Sequence, residues 1–226
     1  MRPITAVPRG GRWRSEPPAS APRICTQWLR RGGSLTRAPQ TLGKVEVQVN
    51  FEGIVCRRDS ETRPRSEHIA ARRSAYRPVG QGSSVWVRDI TLTVDAAAVV
   101  AARSIVSARD SRASWKSLRT LAARPLGSLL YSDPAISRSR FAYASFLLAA
   151  TPFVERQYVD DAPQCGRALA RVSEFRRGQA SLALTEIFLP ALWSIIGQKC
   201  HVIQVTRSQA PCFYILEWFI KSGLNR

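Results

Sequence analysis

The chain of 226 residues has no run of about 18 apolar residues, so no helical membrane span is expected. Near the end, Phe213-Tyr214-Ile215-Leu216 runs straight into Glu217 before Trp218-Phe219-Ile220. Cysteine is sparse. Cys25, Cys56, Cys165, Cys200 and Cys212 are odd in number and widely spaced, and no CxxC pair occurs. That excludes a disulfide framework and argues against zinc, even around Cys200, His201 and Cys212. Reduced thiols and a cytoplasmic location are expected. There are two histidines, His68 and His201, in stretches that suit no catalytic triad. GxGxxG, GxxxxGK[ST] and HExxH are all absent, so the common nucleotide and metalloprotease signatures are excluded. Acids are outnumbered, 16 against 34 Lys and Arg, for a formal charge of +18. This balance favours anionic partners. The arginines are scattered through loops and termini, with no basic stripe or interleaved aromatics. A small anion is therefore expected over nucleic acid.

What is present reads as one core with extensions, 45% hydrophobic overall. Residues 1–27 are rich in Arg and Pro with Glu16 the sole acid, and lack the apolar centre of a secretory signal. They read as a flexible extension, 28–191 as the folded domain, and 192–226 as an appendage of undetermined order. Ser34 suits an N-cap for a helical turn starting at Leu35. Val45, Val47, Val49 and Phe51 alternate as one face of a half-buried strand. Residues 55–84 form a long basic loop. Over 84–94 a strand turns Trp86, Arg88, Ile90, Leu92 and Val94 inward and Val87, Asp89, Thr91 and Thr93 outward. It makes a hairpin with 97–106 around Asp95 and Ala96. Helices are expected over 111–122, from Leu126 through Leu130, and over 141–150. Strands follow at about 168–176 and 181–189. Antiparallel strands with helices between the hairpins indicate an α+β fold.

Glu186 is the most informative residue. It shares a strand face with Leu182, Leu184 and Phe188, and burying a carboxylate costs several kcal/mol unless it is paired or protonated. Arg88 likewise sits on the apolar side of its own strand. One account is a buried structural ion pair between the two. The other is a closed anion site, in which the planar Arg88 fork, helix starts at Leu35 and Leu126, and Glu186 surround a small aromatic or cyclohexadienyl acid.

Five motifs in order carry a resemblance. These are Gly33-Ser34-Leu35-Thr36-Arg37, Trp86-Val87-Arg88-Asp89, Ala102-Arg103-Ser104, Arg124-Pro125-Leu126-Gly127-Ser128-Leu129-Leu130-Tyr131 and Leu184-Thr185-Glu186-Ile187-Phe188-Leu189-Pro190. Over roughly residues 28–191 the chain resembles the chorismate pyruvate-lyase family. The resemblance implies an antiparallel β-sheet of about six strands, with helices on one side and helical flaps over an internal ligand cavity. It implies cleavage of chorismate to 4-hydroxybenzoate and pyruvate, the first committed step towards ubiquinone, by a monomer with no metal or organic cofactor. It places substrate on the side chains of Arg88 and Glu186 and on the backbone at Leu35 and Leu126, with Arg88 and Glu186 catalytic. The pattern departs from the family at Ala168-Leu169-Ala170-Arg171-Val172-Ser173. There Leu169 stands for a Trp and Val172 for the second arginine of an Arg-Arg-Ser run. The competing expectation is a non-catalytic domain of the same fold that binds a small acid, as in certain transcription regulators. Retention of both Arg88 and Glu186 favours the enzyme.

Overall fold

The computed structural model describes residues 12–33, 37–56, 84–148, 151, 153–154 and 167–206. Among these, seven strands form one antiparallel sheet: β1 (Val45–Cys56), β2 (Ser84–Val94), β3 (Ala97–Ser107), β4 (Ile136–Arg138), β5 (Ala142–Leu147), β6 (Arg167–Arg177) and β7 (Ala180–Phe188). Their order is β1-β2-β3-β7-β6-β4, and β5 pairs with β6 beside β4. Three α-helices join them: α1 (Arg23–Arg30), α2 (Leu126–Ser132) and α3 (Pro190–Thr206). The α+β fold and the antiparallel sheet are as expected, with seven strands in place of about six.

Two tight turns set the registers. At Asp95 and Ala96 both φ angles are positive, +47° and +69°, the pattern of a two-residue hairpin turn whose twist matches its strands. Gly178 supplies the same freedom between β6 and β7, with φ +58°. In β1 the register slips between Val49 and Phe51, leaving Asn50 as a bulge. Side chains alternate with period two, so the bulge reverses the parity of everything after it. Phe51 therefore leaves the face of Val45, Val47 and Val49, contrary to the simple alternation, and Glu52 takes its place opposite Arg88.

One face of the sheet carries the helices. At one end, Trp28 and Leu29 of α1 and Leu192 and Ile196 of α3 pack with Leu92, Val94, Val100 and Phe188. At the other, Leu126 and Leu130 of α2 pack with Trp86, Val106, Phe175 and Leu182, joined by Trp115, Leu118 and Leu121. The last three lie in and beside two short 3₁₀ turns, Asp110–Arg112 and Lys116–Thr120, where an α-helix over 111–122 was expected. Their spacing of three fits the 3₁₀ repeat better than the α repeat. The strand β5 also replaces an expected helix over 141–150. Pairing along the free edge of β6 outweighs the helix propensity of an alanine-rich stretch. The outward side of β2 is buried too, since Val85 and Val87 pack with Ile105 and Ala183.

Ordered structure reaches beyond 28–191 at both ends. Trp13 is buried, Arg14 bridges to Tyr143, and α1 begins at Arg23. Past residue 191, Trp193 stacks on Phe188 at 5.7 Å. The long loop 55–84 lies outside the described residues beyond Cys56, as does the turn at 34–36.

Candidate functional site

Four rows of side chains cross the helix-covered face. The outer two are apolar: Trp86, Val106, Leu182 and Phe175 at one end, Leu92, Val100, Phe188 and Leu169 at the other. The two between them carry the charge. One runs Glu52, Arg88, Ser104, Leu184, Ser173; the other runs Ile90, Ala102, Glu186, Arg171, Tyr143. The ionisable groups thus lie between two hydrophobic clusters, where the dielectric is low and each charge needs a partner.

Arg88 and Glu186 line one pocket together with Gly33, Leu126, Gly127 and Tyr131, over a floor of Ile90, Leu92, Ala102, Ser104 and Leu184. They are not each other's partners, as the ion-pair account had it. Arg88 Nη1 donates to Glu52 Oε2 at 2.8 Å. Its Nη2 donates to the carbonyls of Ala122 and Arg124. Ala122 is a non-glycine residue at φ +47°, so the turn that presents its carbonyl to Arg88 carries backbone strain. Arg88 Nε is buried and has no acceptor among the described residues. Burial pushes the Arg88 pKa down, and the Glu52 carboxylate opposes that fall.

Glu186 is paired instead with Arg171, directly opposite it on β6. Arg171 Nε donates to Glu186 Oε2 at 2.5 Å. Its Nη1 reaches the carbonyls of Leu29 at 3.2 Å and Arg31 at 2.5 Å, at the C-terminal end of α1 where a cation is favoured. The guanidinium lies 4.2 Å from the Phe141 ring centroid and 5.7 Å from that of Phe188. Arg171 is thus an internal clamp, 1% exposed, which fixes Glu186 and docks α1 on the sheet. Glu186 Oε1 receives no hydrogen bond among the described residues.

Among the described residues, the pocket lining thus includes an arginine whose Nε has no acceptor and a glutamate whose Oε1 receives no hydrogen bond, with apolar side chains between. Two strand spacings across and two residues along separate their Cα atoms by roughly 12 Å. Leu126 is the first residue of α2, whose opening N–H groups have no intrahelical acceptor. Tyr131, on the last turn of α2, packs edge-on against Phe175 at 5.9 Å, and burial raises its phenol pKa. Leu35 lies outside the described residues. On the opposite face, Arg103 makes a two-pronged pair with Asp89 at 2.7 Å per bond, 4.5 Å over the Phe153 ring. Among the described residues no three His, Cys, Asp or Glu side chains gather as a metal site, and no helix is long and apolar enough to cross a membrane.

The family model for chorismate lyase matches residues 11–198. The chain belongs to the chorismate lyase family. Similar proteins include probable chorismate pyruvate-lyase 1 of Burkholderia pseudomallei (strain 1710b), 34% identical over 82% of this chain and 94% of its own length. The probable chorismate pyruvate-lyase of Bordetella pertussis (strain Tohama I) is also 34% identical, over 84% and 95%. Among solved structures, the effector domain of PhnF from Mycobacterium smegmatis aligns over 70% of this chain and 90% of its own, at 15% identity and a TM-score of 0.46. Of the two departures from the family pattern on β6, Leu169 lies on the helix-covered face beside Phe188, and Val172 lies on the other face. Val172 faces Thr185 and Ala142, whereas the retained Arg171 is the one opposite Glu186. Sequence reasoning passed over Arg171 and Glu52 as partners. Arg171 was within reach: a two-residue turn at Gly178-Gln179 sets the β6–β7 register and puts residue 171 beside residue 186. Glu52 carried no such signal, because it depends on the bulge.

Proposed function

We propose that this chain is a chorismate pyruvate-lyase, which converts chorismate to 4-hydroxybenzoate and pyruvate in the cytoplasm and so supplies ubiquinone synthesis. The observation that carries the reading is that Arg88 and Glu186 line one pocket in a member of this family, with Arg88 Nε and Glu186 Oε1 both without a hydrogen-bond partner among the described residues. A six-membered ring with a carboxylate at one end and a hydroxyl at the other matches that arrangement. The carboxylate meets Arg88 and the backbone N–H groups at Leu126 and Leu35. The hydroxyl donates to Glu186, which Arg171 holds in place.

The reaction needs little beyond orientation. The ring–oxygen bond to the enolpyruvyl group breaks, and its electron pair leaves with enolpyruvate. The neighbouring ring carbon, which bears the hydroxyl, gives up its hydrogen as a proton, and that C–H pair completes the aromatic ring. Enolpyruvate then takes a proton to become pyruvate. Aromatisation drives the step, so the site's work is to hold the substrate and stabilise the developing charge. Glu186 stands at the ring hydroxyl, next to the carbon that loses its proton, and serves as the base.

The test is purified protein with chorismate, following 4-hydroxybenzoate by absorbance. Glu186→Gln is expected to lose about 10²–10⁴ in kcat, as for removal of a general base. Arg88→Ala is expected to weaken 4-hydroxybenzoate about 10- to 100-fold, the loss of a charged hydrogen bond. Glu186→Gln at wild-type turnover rules out the base. Binding of 4-hydroxybenzoate with no turnover of chorismate by the wild type supports the non-catalytic small-acid-binding domain instead.

A further inference from the structure

We propose that Glu52 is a built-in stand-in for the substrate carboxylate, one that holds Arg88 while the pocket is empty and gives way when ligand enters. This rests on the lyase reading of the pocket. The two buried arginines on this face are each paired with a carboxylate, Arg88 with Glu52 and Arg171 with Glu186. One pair must open for a ligand carboxylate to take a guanidinium donor. Arg171–Glu186 is closed to that role. Both side chains are buried, at 1% and 6% exposure, and Arg171 is further tied to two α1 carbonyls.

Arg88–Glu52 is built differently. Arg88 is 1% exposed, but Glu52 is 27% exposed and sits on the edge strand β1, so its carboxylate can swing into water at small cost. Glu52 takes Nη1, the carbonyls of Ala122 and Arg124 take Nη2, and only Nε has no acceptor. Nε and Nη1 lie on opposite sides of the guanidinium and Nη2 is held by backbone, so the donor a ligand carboxylate can take over is Nη1, the one Glu52 occupies. Of the three protein acceptors, only the Glu52 side chain can leave without moving the backbone. Exchanging one carboxylate for another keeps the buried guanidinium compensated before and after binding, so the empty site stays folded and the ligand competes with an internal anion. The Asn50 bulge is what makes this possible. Without it Phe51, not Glu52, would face Arg88.

The experiment titrates wild type, Glu52→Gln and Glu52→Asp with 4-hydroxybenzoate by calorimetry, with circular dichroism to verify folding. Removing the competing charge in Glu52→Gln is expected to tighten binding about three- to tenfold, the range of a partly exposed ion pair. Glu52→Asp, whose carboxylate falls one methylene short of Nη1, is expected to shift the same way by less, and it carries the test should Glu52→Gln not fold. Unchanged or weaker binding in the folded variants, with the wild type binding normally, overturns the exchange. Weaker binding would assign Glu52 to holding Arg88 in place. Absence of binding in wild type and variants alike overturns the lyase reading and this inference with it.

Discussion

Replacing Arg171 with methionine should destabilise this protein more than any other single change on the pocket face. Methionine keeps much of the stem packed between Phe141 and Phe188 but removes the charge. Glu186, 5% exposed, is then a carboxylate without its cation, and breaking such a buried pair costs about 3–5 kcal/mol. The carbonyls of Leu29 and Arg31 lose their donor as well, which loosens the end of α1. Against a total stability of about 5–15 kcal/mol, the variant keeps a reduced margin. For a chain of this size the loss corresponds to a fall in Tm of about 6–20 °C. Chemical denaturation reads the loss directly. In a double-mutant cycle with Glu186→Gln the two changes should cost less together than their sum, by about 2–3 kcal/mol. An Arg171→Met variant within about 1 kcal/mol of wild type at neutral pH refutes the clamp.

Two other perturbations test the frame around the site. Ala96→Gly turns the β2–β3 turn into Asp-Gly, and because Ala96 holds φ +69°, it should raise stability by about 0.5–1 kcal/mol in thermal melts; a loss would show that the turn is not strained as described. Tyr143 is 7% exposed, and burial raises its phenol pKa above the ordinary value of about 10. Its stabilising effect is complete below about pH 10 and lost as pH rises through the folded value, so Tyr143→Phe should flatten the alkaline fall in stability seen by denaturant titration.

The antiparallel α+β frame, the strands β2, β3, β6 and β7, and the presence of Arg88, Leu126 and Glu186 around one pocket were legible because each rests on local pattern. Period-two alternation marks the strands, and a proline just before Leu126 marks the start of α2. Partner choice was not legible, because it is a property of register. Arg88 and Glu186 face the same pocket from strands that are not neighbours, so each found its counter-ion on the strand beside it. For Glu186 that neighbour follows from a two-residue turn and could have been read. For Arg88 it depends on one extra residue at Asn50. A bulge leaves the composition of a strand unchanged and reverses which half of it faces the core. The same reversal brings an acid to the buried Arg88 guanidinium, and leaves Phe51 40% exposed on the edge strand. A buried cation needs such a partner, yet the one supplied is a partly exposed side chain on an edge strand, the kind most readily exchanged for another anion. The arrangement makes sense if the role of Glu52 lies in what it yields to.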